Sequence, residues 1–412
     1  MKRRVVVTGM GAVTPLGQDL QPLWNAVVNA QSGIHPLSII SPEPFKVKIA
    51  GDIPDFDPSG YCDPREVKRL DRFSQFALVA AGKAIEDSSL DLNSVDRHRC
   101  GVVLGSGIGG LAEIEAQIER LLHKGPDRVS PLTVPKMMLN AAGGNIAIQL
   151  GLHGPNYSVA TACASATNAM GGAFRAIQTH EADIVITGGS EAAVTPMGLS
   201  AFQNMKALST RNDEPHRASR PFDADRDGFV LAEGAGVLIF EEYEHAKARG
   251  ARIYGEVLGY GASCDAGHIT QPDPHGSGAA RAMTIAIEDG GLSPKDIDYI
   301  NAHGTGTPLG DKAETQAIKA VYGQHAYDLS ISSTKSMLGH SLGASGGIEM
   351  ILTLLAVYHD LVPPTANLEN PDPACDLNYT PLKAVSRPIG TAMNNSFGFG
   401  GHNASIICGK VR

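Results

Sequence analysis

The segment Ala84-Ile85-Glu86-Asp87-Ser88-Ser89-Leu90 has an echo at Ala286-Ile287-Glu288-Asp289-Gly290-Gly291-Leu292. An apolar strand pattern follows each copy, and then a glycine turn: Gly105-Ser106-Gly107 after the first, His303-Gly304-Thr305-Gly306-Thr307 after the second. The copies start at residues 84 and 286 of a 412-residue chain, so the offset is close to half its length. A helix–strand–glycine-turn order that recurs at half-length predicts two similar halves. We place them at residues 1–255, enlarged by cap insertions, and 256–412. Short β-branched runs alternate with longer helical patterns, which predicts α/β architecture. Expected strands are 5–8, 101–104, 158–161, 184–187, 299–302 and 331–334, several bounded by glycine and lacking polar alternation, as in strands buried on both faces. Two such halves packed together place a site where the ends of corresponding strands converge.

Composition narrows the class of partner. Charged residues make up 19% of the chain, below the roughly 25% of an average soluble protein, which fits a large core or an extensive subunit interface. The net charge of −9 argues against nucleic acid. No apolar stretch is expected to reach the roughly 18 residues that span a bilayer, so no membrane insertion is expected. The opening Met1-Lys2-Arg3-Arg4-Val5-Val6-Val7-Thr8-Gly9 has too short an apolar run for a signal peptide and reads as a first buried strand. Six cysteines are scattered with no Cys-x-x-Cys pair, so zinc and thioredoxin-type chemistry are poorly supported. The expectation is a reduced, cytoplasmic protein.

One cysteine stands apart. Tyr157-Ser158-Val159-Ala160-Thr161-Ala162-Cys163-Ala164-Ser165 runs from a strand into a helix, whose apolar positions 166, 169, 170, 173, 174 and 177 keep helical spacing. This places Cys163 at a helix N-terminus, where unpaired N–H groups and the macrodipole favour a thiolate. Such positions lower a cysteine pKa from about 8.5 to roughly 3.5–7.5. Small neighbours leave room for substrate beside the sulfur. A buried cysteine is otherwise a common small core residue, and the other five are read that way.

Two histidines and a lysine accompany it. His303 ends a strand and opens a glycine-rich turn, after which Pro308 starts a helix ending near Gly323. His340 lies in Lys335-Ser336-Met337-Leu338-Gly339-His340, ahead of an apolar helix from about 346 to 359. The helix N-terminus disfavours imidazolium, so His340 is expected to be neutral. Lys335 and Glu349 flank it as a candidate buried ion pair, against the plainer reading of an ordinary structural salt bridge. Neutral imidazoles suit a site where negative charge develops on a thioester oxygen. One cysteine and two histidines can also bind zinc, but no further ligand stands at ligand spacing, and no metal is expected.

The glycine loop Asn395-Ser396-Phe397-Gly398-Phe399-Gly400-Gly401-His402-Asn403 can swing and can present backbone N–H groups to an oxyanion; Gly105 to Gly110 is a second candidate wall. Thr8-Gly9-Met10-Gly11 superficially matches a dinucleotide fingerprint, but Thr14 replaces its last glycine and Pro15 follows, so a simple turn is the better reading.

On Thr161-Ala162-Cys163, His303-Gly304-Thr305 and Lys335-Ser336-x-x-Gly339-His340, the whole chain resembles the beta-ketoacyl-acyl carrier protein synthases, in particular the elongating type called synthase II. The resemblance implies the thiolase fold, with duplicated βαβαβαββ halves in a five-layered αβαβα arrangement, working as a homodimer. It implies that Cys163 takes an acyl group from an acyl carrier protein. It also implies that His303 and His340 assist decarboxylation of a malonyl thioester, supported by Lys335 with Glu349. The N–H groups of Cys163 and Phe399 form the oxyanion hole, Phe399 also acting as a gate. Ile108 and Phe202 match the acyl pocket, and Thr270, Thr305 and Thr307 the channel for the carrier's pantetheine arm. Arg65, Lys68, Arg69, Arg72, Arg128 and Lys206 match the carrier-docking surface, although a basic run is often only a solvated helix face. Asp127 and His402 depart from the family pattern. No cofactor is implied beyond the phosphopantetheine that carries the substrates. Initiating synthases use Asn where His340 stands, thiolases a second Cys, and chain-length factors lack the nucleophile. The alternatives are a polyketide ketosynthase, a non-catalytic partner of acyl carrier protein and, weakest, a nucleotide-binding module.

Overall fold

The computed structural model describes residues 2–412. Its first half runs β1 (Val5–Val13), α1 (Arg72–Ser88), β2 (Cys100–Gly105), α2 (Ala141–Leu150), β3 (Asn156–Val159), α3 (Ser165–Gln178), β4 (Ile184–Glu191) and β5 (Gly234–Glu242). The second runs β6 (Gly255–Cys264), α4 (Ser277–Asp289), β7 (Tyr299–Asn301), α5 (Pro308–Tyr322), β8 (Ser330–Ser332), α6 (Ser345–His359), β9 (Thr391–Gly398) and β10 (His402–Gly409). Each half is βαβαβαββ, with shorter helices in the connections.

The strands lie in the order β3-β2-β4-β5-β1 and then, beyond the β1–β6 edge, β6-β10-β9-β7-β8. The two halves therefore share one topology, including two parallel pairs followed by antiparallel ones. Antiparallel pairing of Val5–Val7 with Gly255–Val257 joins them. Helices α1 and α2 cover the outer face of the first sheet and α4 that of the second, with α5 packed on α4; α3 and α6 lie between the sheets and touch strands of both halves. That is five layers, αβαβα.

The sequence echo has a packing cause. A Cβ on Gly9 would sit on the Ala84 carbonyl, and one on Gly259 on the Ala286 carbonyl; Gly11 and Gly261 face Ala80 and Ala282 in the same way. These glycines let α1 and α4 lie directly on β1 and β6. Asp87 then accepts the Met10 N–H at 3.0 Å, and Asp289 that of Tyr260 at 3.1 Å. The repeated alanine and aspartate are thus the contacts that seat each helix on its strand.

Several expected bounds change. β1 and β4 are longer than read, β3 begins two residues earlier, and the antiparallel strands β5, β6, β9 and β10 were not anticipated. Residues 395–398, read as part of a swinging loop, belong to β9, leaving only 399–401 as the turn. Contrary to expectation, one apolar run does reach membrane length. Residues 342–359 reach it with mean hydropathy 1.3, but 89% of that stretch is buried inside the protein. It is the inter-sheet core helix.

Overpacking a close helix–strand contact costs about 1–3 kcal/mol. Gly11→Ala and Gly261→Ala should each destabilise the protein by about that much in urea denaturation. Gly60→Ala, with nothing within 4 Å of the added carbon, should change stability by less than about 0.5 kcal/mol.

Candidate active site

Cys163 sits between β3 and α3, but not on the helix: α3 starts at Ser165 with Ala164 as its cap. The chain reaches it through Ala162 at φ +49°, a left-handed conformation rare outside glycine. Ser165 stabilises this turn, its Oγ donating to the Ala162 carbonyl at 2.6 Å and accepting the Thr161 N–H at 2.9 Å. Gly398 lies against it, since a Cβ there would be 2.9 Å from the Cys163 nitrogen.

The thiolate expected at a helix N-terminus is not the resting form. Burial pushes the Cys163 thiol up to about 11, more than offsetting the Lys335 charge and the backbone N–H groups of Phe399 and Cys163, which act in the opposite direction. The buried Glu191 carboxylate raises it further. The sulfur is a protonated thiol in contact with its base: His340 Nε2 lies 3.0 Å from Sγ.

His340 is oriented by Ser345, whose Oγ is 2.9 Å from Nδ1, and its backbone N–H donates to the Val230 carbonyl at 2.7 Å. His303 follows β7, where Glu314 of α5 accepts the N–H groups of His303 and Gly304 at 2.9 and 2.8 Å. Its Nδ1 is 3.4 Å from Lys335 Nζ, and Lys335 is in turn paired with Glu349 of α6, both buried. Both imidazoles have pKa values well below the ordinary histidine range, first through burial and then through the Lys335 charge. His340 is neutral as expected, but for that reason; four residues separate it from the start of α6. The two rings meet edge to face, 5.4 Å apart. The donor atoms of Cys163, His303 and His340 lie within 4.8 Å of one another.

The trio opens into a cavity of about 440 Å³ that Phe202, Thr270, Thr305, Thr307, Phe397, Phe399 and exposed Lys206 also line. Ile108, assigned to the same acyl pocket, does not line it. Ile108 packs instead with Phe202 against the apolar cluster containing Cys163 and Leu342. Thr305 and Thr307 hydroxyls are 3.0 Å apart, and the Thr270 N–H donates to His268 Nδ1 at 3.1 Å.

Of the docking cations, Arg65, Lys68, Arg69, Arg128 and Lys206 are exposed, with Arg65 and Arg69 in surface pairs to Asp63 and Glu66. Arg72 is a correction. Its guanidinium points inward, bonded to buried Glu233 at 2.7 Å and to the Ile53 carbonyl at 2.7 Å, and stacked over Phe76. Asp127 is exposed in the turn Pro126–Arg128, while His402 is half-buried at the start of β10. Glu314, Ser345 and Glu191 were missed. Glu314 carried the one usable signal, an acid on the helix that follows the His303 turn.

A duplicated five-layered fold with a nucleophilic cysteine facing two neutral imidazoles defines a thiolase-fold condensing enzyme. Residues 2–246 match the family model "Beta-ketoacyl synthase, N-terminal domain", and residues 254–369 match "Beta-ketoacyl synthase, C-terminal domain". The chain belongs to the beta-ketoacyl synthase family. It is 51% identical over 411 residues to the 3-oxoacyl-[acyl-carrier-protein] synthase 2 of Synechocystis sp., covering 100% of this chain and 99% of that one. The Coxiella burnetii protein of the same name is 47% identical over 410 residues, again covering 100% and 99%. Among solved structures, a beta-ketoacyl synthase from Burkholderia phymatum superimposes with a TM-score of 0.92 at 36% identity, covering 100% of both chains. A ketosynthase solved in complex with its type II PKS acyl-carrier protein does so at 0.93 and 36%, with the same coverage.

Alkylation of Cys163 by iodoacetamide, followed by peptide mass spectrometry, should keep accelerating with pH past the ordinary thiol range and level off only near 11. A plateau below neutrality would mean that the resting sulfur is a thiolate.

Proposed function

We propose that this protein joins an acyl group held on Cys163 to malonyl-acyl carrier protein, with loss of carbon dioxide, giving 3-oxoacyl-acyl carrier protein in fatty acid elongation. The observation that carries the reading is His340 Nε2 at 3.0 Å from Cys163 Sγ, with neutral His303 facing the same cavity.

In the first half-reaction, Sγ attacks the thioester carbonyl carbon while His340 Nε2 receives the thiol proton. The N–H groups of Cys163 and Phe399 hold the oxyanion, Phe399 also serving as the gate. The tetrahedral adduct collapses, and the carrier thiol leaves with the proton. Malonyl carrier then enters past Thr270, Thr305 and Thr307. Its carboxylate leaves as carbon dioxide, and the electron pair left on the adjacent carbon is stabilised as an enolate whose oxygen accepts hydrogen bonds from His303 and from His340. For this step His340 is in its Nε2–H tautomer, with Nδ1 accepting from Ser345 Oγ. That carbon attacks the acyl–enzyme carbonyl, the new carbon–carbon bond forms, and Sγ leaves as a thiolate that takes a proton from solvent, the one proton the decarboxylating condensation consumes. Lys335, with Glu349, acts by holding the imidazoles neutral. No step requires a metal or redox cofactor.

Lys206, at the cavity, together with Arg65, Lys68, Arg69 and Arg128, is proposed as the docking surface for an acidic carrier. Phe202 is proposed to line the acyl pocket, with Ile108 behind it against the apolar cluster that contains Cys163 and Leu342. We take residues 1–255 and 256–412 as the duplicated halves and a homodimer as the working form. Support for the dimer is the open edge of β3, where Tyr157 is exposed, together with exposed Ile118, Leu122, Val134 and Ile148 on the neighbouring elements. Six free cysteines fit a reducing, cytoplasmic setting. Full-length identity near half to the two curated synthases, against 36% to the type II PKS ketosynthase, favours fatty acyl over polyketide substrates.

Mass spectrometry after incubation with acyl carriers of graded length should find a single adduct, on Cys163. Cys163→Ala should abolish acylation and condensation while unfolding at an unchanged temperature. An adduct on another cysteine of the wild type would refute the assignment. His303→Ala and His340→Ala should each slow malonyl decarboxylation by about 10²–10³-fold, the range for loss of one oxyanion donor. Lys206→Glu should raise KM for the carrier more than it lowers kcat.

A further inference from the structure

A carboxylate outside the reacting trio ties two of the site's loops together. Glu191 is the last residue of β4 and is fully buried. Its Oε1 accepts from Ser106 Oγ at 2.9 Å, from the Ile108 N–H at 3.1 Å and from the Gly109 N–H at 3.3 Å. Its Oε2 accepts from the Gly107 N–H at 2.7 Å and the Gly343 N–H at 3.0 Å. Every partner is a donor, which calls for an acceptor-only group. An ionised carboxylate has two oxygens with about four lone-pair sites, whereas an amide would turn its own N–H groups toward other donors. The approach also dictates glycine on both sides: a Cβ would lie 2.9 Å from Oε2 at Gly107 and 2.6 Å at Gly343.

The two segments carry different parts of the site. The 106–109 segment bears Ile108, which packs, as Phe202 does, against the buried cluster that contains Cys163 and Leu342. Gly343 lies in the turn between His340 and Ser345, the residue that orients the His340 ring. That turn is strained, because Leu342 sits at φ +46°. Ser345 in turn opens α6, so the turn has little freedom to move independently of the histidine.

We propose that Glu191 is a positioning residue that couples the Ile108 loop to the turn holding His340, so that an acyl chain displacing Ile108 alters how His340 is held. The chain enters this argument through the proposed condensation, but the mechanical link does not depend on it. Two effects of opposite sign follow. Loosening the anchor eases displacement of Ile108, which favours long chains, and it weakens the hold on His340, which slows decarboxylation.

Two variants grade the perturbation: Ser106→Ala removes one donor to the carboxylate and leaves its charge, and Glu191→Gln keeps the shape but removes an acceptor. Hydrogen exchange by mass spectrometry should rise together in peptides covering 106–109 and 341–345 in both. In single-turnover assays with acetyl- and dodecanoyl-acyl carrier protein, the ratio of dodecanoyl to acetyl transfer should rise about fivefold in Glu191→Gln, while malonyl decarboxylation falls about fivefold, within the range of site-to-site coupling. Ser106→Ala should move both in the same directions by less. Exchange that rises in one peptide only, or the two rates falling by a common factor, would overturn the proposal. If the wild type takes no acyl group at all, the proposed function fails, and the exchange comparison still decides the coupling.

Discussion

The ammonium of Lys335 organises the chemistry of this site. It is buried, paired with Glu349, and 3.4 Å from His303 Nδ1. Burial alone disfavours imidazolium at His303 and His340, and the nearby positive charge disfavours it further. The same charge draws the Cys163 thiol down against the burial that raises it. One fixed cation therefore keeps two bases uncharged and moderates the nucleophile. The arrangement depends on Glu349, because a buried cation stripped of its partner destabilises a protein by about 3–5 kcal/mol. A neutral imidazole can donate one N–H to a developing oxyanion or take one proton from sulfur. An imidazolium could do only the first.

The duplicated architecture explains how these groups meet. Cys163 lies in the connection from β3 to α3, and His340 in the equivalent connection from β8 to α6. The 105–107 turn after β2 and the 303–307 turn after β7 are equivalent as well. In each of those turns a buried glutamate gathers consecutive backbone N–H groups: Glu191 takes Gly107, Ile108 and Gly109, and Glu314 takes His303 and Gly304. The halves reach the same loop-anchoring chemistry from different elements, the end of β4 in the first and α5 in the second, and their loops present different groups, an isoleucine on one side and a histidine on the other. Because α3 and α6 are sandwiched between the sheets, the residues just before them are buried at the point where both halves contribute.

Much of this was legible in the chain itself. The Ala-Ile-Glu-Asp echo reported the duplication because the alanine carbonyl and the aspartate are what seat a helix on a glycine-bearing strand. Pro308 marked the start of α5 correctly, and the apolar spacing from 166 to 177 marked α3. The reactive residues were legible because each sits in a short run of small residues and glycine at a strand end. The state of Cys163 was not legible: local position suggested a lowered pKa, but desolvation by tertiary packing outweighs the helix terminus, and the cysteine precedes the cap. Arg72 misled for a similar reason. Lys68 and Arg69, shortly before it, are basic and exposed, but Glu233, which takes its charge, is 161 residues away. Ser345 and Glu191 carry no sequence motif, and their roles arise only from what folding brings to them.

The central claim is that both imidazoles of the resting enzyme are uncharged. Nitrogen-15 NMR of histidine-labelled protein, titrated downward through the ordinary histidine range near 6.5, tests it directly. His303 and His340, assigned by comparison with His303→Ala and His340→Ala, should keep the signature of the neutral ring until the pH is well below that range. Protonation of either ring near 6.5 would contradict the account.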